Sequence, residues 1–305
     1  MNPAMRLWNY LACRLWHPRD YWHNRHFDTR YRATEGEPGH WAVSWRNVPV
    51  RCRPLPDLVR QPHPPVCHIF ASGPSLAALR EPARLFKDFT ICLNGSYRVA
   101  EQAGQPCDLF VTFDAGFIRR RFEDFKRARP WARAVVIDHL VFFLTLSQDA
   151  SLGRSLNPFL YNDANRPYLG RAVEKARQLQ THFRSGQDYA SDGREAGGII
   201  SRSAQIGLAS NASVVCLALQ VAWLMGFREV RIYGMDLGGP ARFYSEAART
   251  EPTKLDESYE SHLLPWFKSF AANFCGPAFR VFNCSATSRL PADILPRLDP
   301  NAPLA

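Results

Sequence analysis

Val66-Cys67-His68-Ile69-Phe70-Ala71 runs without a break into Ser72-Gly73-Pro74-Ser75. A β-prone, mostly apolar run thus stops at small polar residues that favour turns. The same pattern recurs along the chain. Residues 90–93 end at Asn94-Gly95-Ser96, and residues 109–113 end at Asp114-Ala115-Gly116. Residues 229–233 end at Gly234-Met235-Asp236, and residues 280–282 end at Asn283-Cys284-Ser285. Residues 134–137, ending at Asp138, are a further candidate strand. Short continuous apolar runs that alternate with helical segments predict an α/β fold. Its sheet is expected to be mostly parallel, Rossmann-like, buried on both faces and flanked by helices. In such sheets ligands bind beyond the carboxyl ends of the strands. Those ends hold the Gly, Ser, Asn and Asp residues here. Each loop taken singly is also explained as ordinary turn chemistry. Successive Ser-Gly-Pro-Ser and Asn-Gly-Ser loops favour a ligand site, because glycine admits close approach and the polar residues supply donors.

No G-x-G-x-x-G and no G-x-x-x-x-G-K-[ST] occurs, which argues against a dinucleotide site and a P-loop. Working outward, residues 212–225 read as a helix that is apolar nearly all round, with Ser210-Asn211 as its N-cap pair and Gly226 as its stop. Such a helix is a capped core element, or one whose N-terminus also faces a phosphate. Residues 117–133 read as a basic amphipathic helix with Ile118, Phe122 and Phe125 on one face. Its Arg119, Arg120, Arg121, Lys126, Arg127 and Arg129 are a solvated face or an anion-guiding surface beside Asp114. Residues 147–205 lose the strand pattern and are expected to be an insertion, either a lid or a passive surface excursion.

The chain has 305 residues, a formal net charge of +10 and 46% hydrophobic residues. It is long enough to bury a large core and basic enough to favour anionic partners. Five of the eight tryptophans precede residue 46: Trp8, Trp16, Trp22, Trp41 and Trp45. With their neighbouring arginines they suit an anionic membrane surface, or they pack on the main domain as an arm. The expected organisation is a Trp-rich arm and Pro-rich linker over 1–65 and a Rossmann-like domain over 66–305. The eight cysteines form no C-x-x-C pair, so no zinc or redox motif is signalled, and Cys67, Cys92 and Cys216 read as buried hydrophobes. A reducing, cytoplasmic setting is expected. No apolar run reaches bilayer-spanning length and no signal peptide is evident. Nucleic-acid binding is not expected, since the basic residues are dispersed and no recognised module appears.

Asn94-Gly95-Ser96, the stretch Phe113-Asp114 through Phe125, Leu219-Gln220-Val221-Ala222 and Gly234-Met235-Asp236-Leu237 with Arg242-Phe243-Tyr244 resemble one family. These are the WaaZ-type transferases that add a third Kdo residue to the lipopolysaccharide inner core. The resemblance covers about residues 66–290. More distantly, Gly73-Pro74-Ser75 and the Gly234-Met235-Asp236 block are similar to bacterial sialyltransferases that use CMP-sialic acid. The resemblance implies inverting transfer from a CMP-Kdo donor to a lipid A–core acceptor, without a metal or other cofactor, at the cytoplasmic face of the inner membrane. It implies that Gly73, Pro74, Ser75, Asn94, Gly95 and Ser96 hold the nucleoside. Ser210, Asn211 and Asp236 would contact substrate, and Tyr244 would meet the leaving phosphate. A general base must take the acceptor proton. His262, placed after Asp236 much as the sialyltransferases place their histidine, is the first candidate, and Asp114 the second. Loop capping is the alternative for Asp114 and Asp236. Other readings are a pyrophosphokinase acting on a pterin and a non-catalytic adaptor that docks on anionic lipid.

Overall fold

The computed structural model describes residues 24, 26–165, 167–169, 184–191, 198–239, 241–244 and 255–302. Trp8, Trp16 and Trp22 therefore lie outside the described residues. The chain divides into two compact units. The first comprises Met1–Val59, Phe113–Phe122 and Val135–Ser210; the second comprises Arg60–Thr112, Glu123–Ala134 and Asn211–Ala305.

The second unit is built on five parallel strands in the order Arg280–Asn283, Glu229–Tyr233, Val66–Phe70, Phe89–Leu93, Cys107–Thr112. All five strand segments expected in this unit are present, with ends shifted by one or two residues at most. Phe89–Leu93 and Glu229–Tyr233 are buried along their whole length, as strands of a covered parallel sheet are, and the two charges in the second, Glu229 and Arg231, pair with each other at 2.7 Å. Helices Tyr97–Ala103 and Val214–Met225 both pack on strands Phe89–Leu93 and Cys107–Thr112. Cys67, Cys92 and Cys216 are fully buried and carry no disulfide, as expected of small hydrophobes.

The long helix starts later than its sequence suggests. It spans Val214–Met225, and Ser213, not Ser210-Asn211, is its N-cap, with the Ser213 hydroxyl accepting from Val215 N. Asn211 Oδ1 instead accepts from Ala212 N at 2.6 Å, a local bond that competes with helix entry. Gly226 closes the helix in the left-handed region at φ 83°, as expected.

The 117–133 stretch is likewise not one helix. It breaks into Ala115–Arg120, Phe122–Ala128 and a 3-10 turn Arg129–Trp131, after which strand Ala132–Asp138 begins. Pro130 cannot continue an α-helix, and it opens the 3-10 turn instead.

The first unit has its own three-strand parallel set: the end of Ala132–Asp138, then Phe159–Tyr161, then Arg53–Pro54. A separate antiparallel sheet joins Tyr31–Glu35, Trp41–Trp45 and Val48–Val50. Its side chains pack on helix His139–Gln148. Trp45 and Phe27 lie 6.0 and 5.3 Å from Phe143, and Trp41 lies 4.4 Å from His139, measured between ring centroids. Tyr31 OH bonds His139 Nδ1 at 2.7 Å. Two of the five N-terminal tryptophans thus serve this unit's core. Leu55–Val59 is a helical turn inside the Pro-rich stretch. Asp138 caps helix His139–Gln148 through Val141 N at 2.7 Å. Burial first, and Asp163 nearby, push its carboxyl up to about 8. Among the described residues no helix is long and apolar enough to cross a membrane.

Candidate functional site

Four strand ends of the second unit supply its polar residues. Beyond Val66–Phe70, Pro74 opens a short 3-10 turn, where its missing N–H leaves no orphan donor. Gly73 N donates to Gly234 O at 2.9 Å, which ties the first loop to the loop after Glu229–Tyr233. Ser75 closes the joint: its N and Oγ donate to Asp236 Oδ2 at 3.0 and 2.9 Å. Thr287 Oγ1 donates to Asp236 Oδ1 at 2.8 Å. The nearly buried Asp236 carboxylate is therefore held by three donors from two loops. A Cβ at position 73 would stand 2.1 Å from Asp236 Oδ2 and 2.5 Å from Gly234 O. Only glycine admits that approach. Ser285 Oγ accepts from Met235 N at 2.7 Å, and Arg297 fixes the same loop through Ser285 O, Ser288 O and Leu290 O.

Asn94-Gly95-Ser96 forms the second cluster. Asn94 adopts φ 49°, and its Oδ1 accepts from Thr112 Oγ1 at 2.7 Å. Ser96 is fully buried; it donates to Phe70 O and accepts from Leu93 N. Its role is to bind two strand ends together. The phenol of Tyr244 lies over Gly95, where a Cβ would meet its oxygen at 1.9 Å. Phe243 N donates to Ser72 O at 3.3 Å, so the 243–244 segment links both loops. Arg98 stacks on Tyr244 with its guanidinium carbon 4.7 Å from the ring centroid. Its Nη2 reaches Asp124 Oδ1 at 3.4 Å, and Tyr97 OH donates to the same oxygen at 3.0 Å. Burial and the Asp124 charge push the Tyr97 hydroxyl up to about 12.

His262 is exposed on a π-turn, Tyr259–Leu263, and its Nδ1 pairs with Ser261 Oγ at 2.7 Å. The helical segment that carries it is anchored to the Asp236 loop. Arg289 N donates to Asp236 O at 2.8 Å, Tyr259 OH donates to Arg289 O at 2.9 Å, and Asp256 Oδ2 accepts from Gly239 N at 3.3 Å.

Gly73, Pro74, Ser75, Asn94, Gly95, Ser96, Asp236 and Tyr244 thus form one bonded cluster in the second unit. Asp114 and Ser210 belong to the first unit. Asp114 caps helix Ala115–Arg120 by accepting from Phe117 N at 3.0 Å. Ser210 donates through N and Oγ to Asp163, and its carbonyl accepts from Asn165 Nδ2 at 2.8 Å. Asn211 Nδ2 is buried and has no hydrogen-bond partner among the described residues. Sequence reasoning missed Thr287, Arg98, Asp163 and Arg297. Thr287 had a faint signal, two residues past the polar end at Ser285, and Arg98 had another, four residues past Asn94. Among the described residues no group of three His, Cys, Asp or Glu is placed to hold a metal ion.

No family model and no curated protein matches this sequence. Among solved structures it is similar to the sialyltransferase CST-II in complex with a trisaccharide acceptor and CMP. That match has 12% identity and a TM-score of 0.41, and covers 79% of this chain and 89% of that one. It is similar to the monofunctional α-2,3-sialyltransferase Cst-I from Campylobacter jejuni, at 13% identity and TM-score 0.42, covering 79% and 83%. It is also similar to the MAf glycosyltransferase from Magnetospirillum magneticum AMB-1, at 15% identity and TM-score 0.43, covering 79% of this chain and 34% of that one. Likeness at this level speaks to neither substrate nor reaction.

Proposed function

We propose that this chain is a glycosyltransferase that moves Kdo from CMP-Kdo to the inner core of lipopolysaccharide. The observation that carries the reading is the convergence of loops 72–75, 94–96, 234–237 and 243–244 at the carboxyl ends of adjacent parallel strands, the place where α/β sheets take ligands. The sequence resemblance over residues 66–290 supplies the donor class. Gly73, Pro74, Ser75, Asn94, Gly95 and Ser96 frame the nucleoside, with Ser96 acting through the strand ends it binds. Asp236 orders the first loop, and Tyr244 meets the leaving phosphate. Ser210 and Asn211 complete the assigned substrate contacts.

The reaction needs no redox partner. An acceptor hydroxyl oxygen forms a bond to the anomeric carbon of Kdo as the bond from that carbon to the CMP phosphate breaks. The hydroxyl proton passes to a base, and CMP leaves with the electron pair. Attack opposite to the leaving group inverts the anomeric centre. His262 is the first candidate base, and Asp114 is the second. The acceptor is lipid A–core, reached from the cytoplasmic face of the inner membrane, with exposed basic residues of the 1–65 segment against anionic lipid, while its Trp41 and Trp45 pack on helix His139–Gln148. No metal enters this scheme.

Incubating the purified full chain with CMP-Kdo and a lipid A–core acceptor tests it. The reading expects CMP release coupled to an acceptor heavier by one Kdo residue. Intact CMP-Kdo and an unchanged acceptor contradict it. His262→Ala is expected to lower kcat by about a hundredfold or more while leaving CMP binding intact.

A further inference from the structure

The cluster in the second unit has a polarity that bears on how it receives a nucleotide. From Gly73 to Leu76 every backbone N–H is taken: Gly73 by Gly234 O, Ser75 by Asp236, Leu76 by Gly73 O, while Pro74 has none. The Ser75 hydroxyl hydrogen also goes to Asp236. A glycine-containing loop of this kind commonly cradles an anion. Here the anion is the protein's own: the Asp236 carboxylate fills the cradle, and a phosphate beside Gly73–Ser75 would meet a like charge and donors that are already taken. Ser75 Oγ retains lone pairs, so this loop accepts hydrogen bonds from neutral hydroxyl or amino groups.

Arg98 is the opposite case. Its Nε–H is buried and has no hydrogen-bond partner among the described residues. Leaving such a group unpaired is costly. Among the described residues its Nη2 makes one long contact, 3.4 Å to Asp124, and that oxygen also serves Tyr97. The guanidinium carbon lies over the Tyr244 ring, 4.7 Å from its centroid, and the Tyr244 hydroxyl lies over Gly95. An arginine over an aromatic ring whose hydroxyl covers Gly95, with an Nε–H unpaired among the described residues, has the chemistry to receive a phosphate.

We propose that Arg98 is the phosphate-recognising residue of the nucleotide site, and that Asp236 turns the phosphate away from the Gly73–Ser75 loop, so that this loop faces the sugar or base of the nucleoside. This rests on the nucleotide-binding reading above and adds a direction and a residue to it. Titration calorimetry of the full chain with CMP and with cytidine, which lacks the phosphate, tests it. The wild-type chain binds CMP more tightly than cytidine. Arg98→Gln weakens CMP by about tenfold, the loss of one charge-assisted contact, and leaves cytidine within about twofold. Arg98→Lys keeps the charge and recovers part of the CMP affinity, again without touching cytidine. If CMP and cytidine weaken together, or CMP affinity is unchanged in both variants, Arg98 does not read the phosphate. A wild-type chain that binds neither compound overturns the nucleotide reading itself, an outcome distinct from failure of the variants alone.

Discussion

Two loops in the second unit carry nearly the same residue types and do opposite things. At Gly73-Pro74-Ser75 the donors bind Asp236 and Gly234. At Asn94-Gly95-Ser96 Tyr244 covers the turn and Arg98 lies over its ring, with the Arg98 Nε–H unmatched among the described residues. The first loop is a rigid joint and the second an adaptable rim. Similar turn chemistry therefore does not imply similar ligand chemistry; what a glycine lies against decides it. At Gly73 the obstacle is a fixed carboxylate and a backbone carbonyl, whereas at Gly95 it is the end of a phenol that can swing away.

Substitutions can break this contrast. The largest effect is expected at Asp236, where Asp236→Ala leaves the Ser75 and Thr287 donors unpaired and costs about 3 kcal/mol of stability in urea unfolding. Gly73→Ala forces a Cβ against Asp236 and Gly234 and costs about 2–3 kcal/mol by the same measurement. Gly95→Ala is the mildest, about 1 kcal/mol or less, because Tyr244 moves aside; its mark is a weakened CMP affinity instead. Equal losses at positions 73 and 95 would erase the distinction between joint and rim.

Between these in size lies a pH effect beneath the first loop. His68 is buried in strand Val66–Phe70 between Asp88 and Tyr233. Burial outweighs the pull of Asp88 and lowers its imidazole to about 4 from the ordinary 6.5. The unfolded chain then binds the extra proton first, so His68 favours the folded state above pH 6.5, and that stability is lost as pH falls toward 4. The loss is on the order of 2 kcal/mol, and it is expected to flatten in His68→Gln. An identical acid slope in the variant would mean that another group carries it.

The parallel sheet of the second unit was legible because its strands are continuous apolar runs that stop at Gly, Ser, Asn and Asp. The first unit was far less so. Phe159–Tyr161 has only three residues, and Trp41 and Trp45 read as well for a membrane surface as for packing until their partners on helix His139–Gln148 were in view. The Ser210-Asn211 pair reads as a helix cap by residue type, yet Ser213 is an equally good cap two residues on, and Asp163 and Asn165, distant in sequence, hold Ser210 instead. Residue type marked Ser75 and Asp236 as site candidates, but not that they bind each other. Long-range hydrogen bonds of that kind leave no trace in local spacing.

The central claim, a cytidine nucleotide held at the strand ends of the second unit, is tested most directly by titrating CMP into the purified chain and into Gly73→Ala. The account predicts saturable one-to-one binding to the wild-type chain and a strongly weakened isotherm for the variant. Absence of binding to the wild-type chain at millimolar CMP contradicts it.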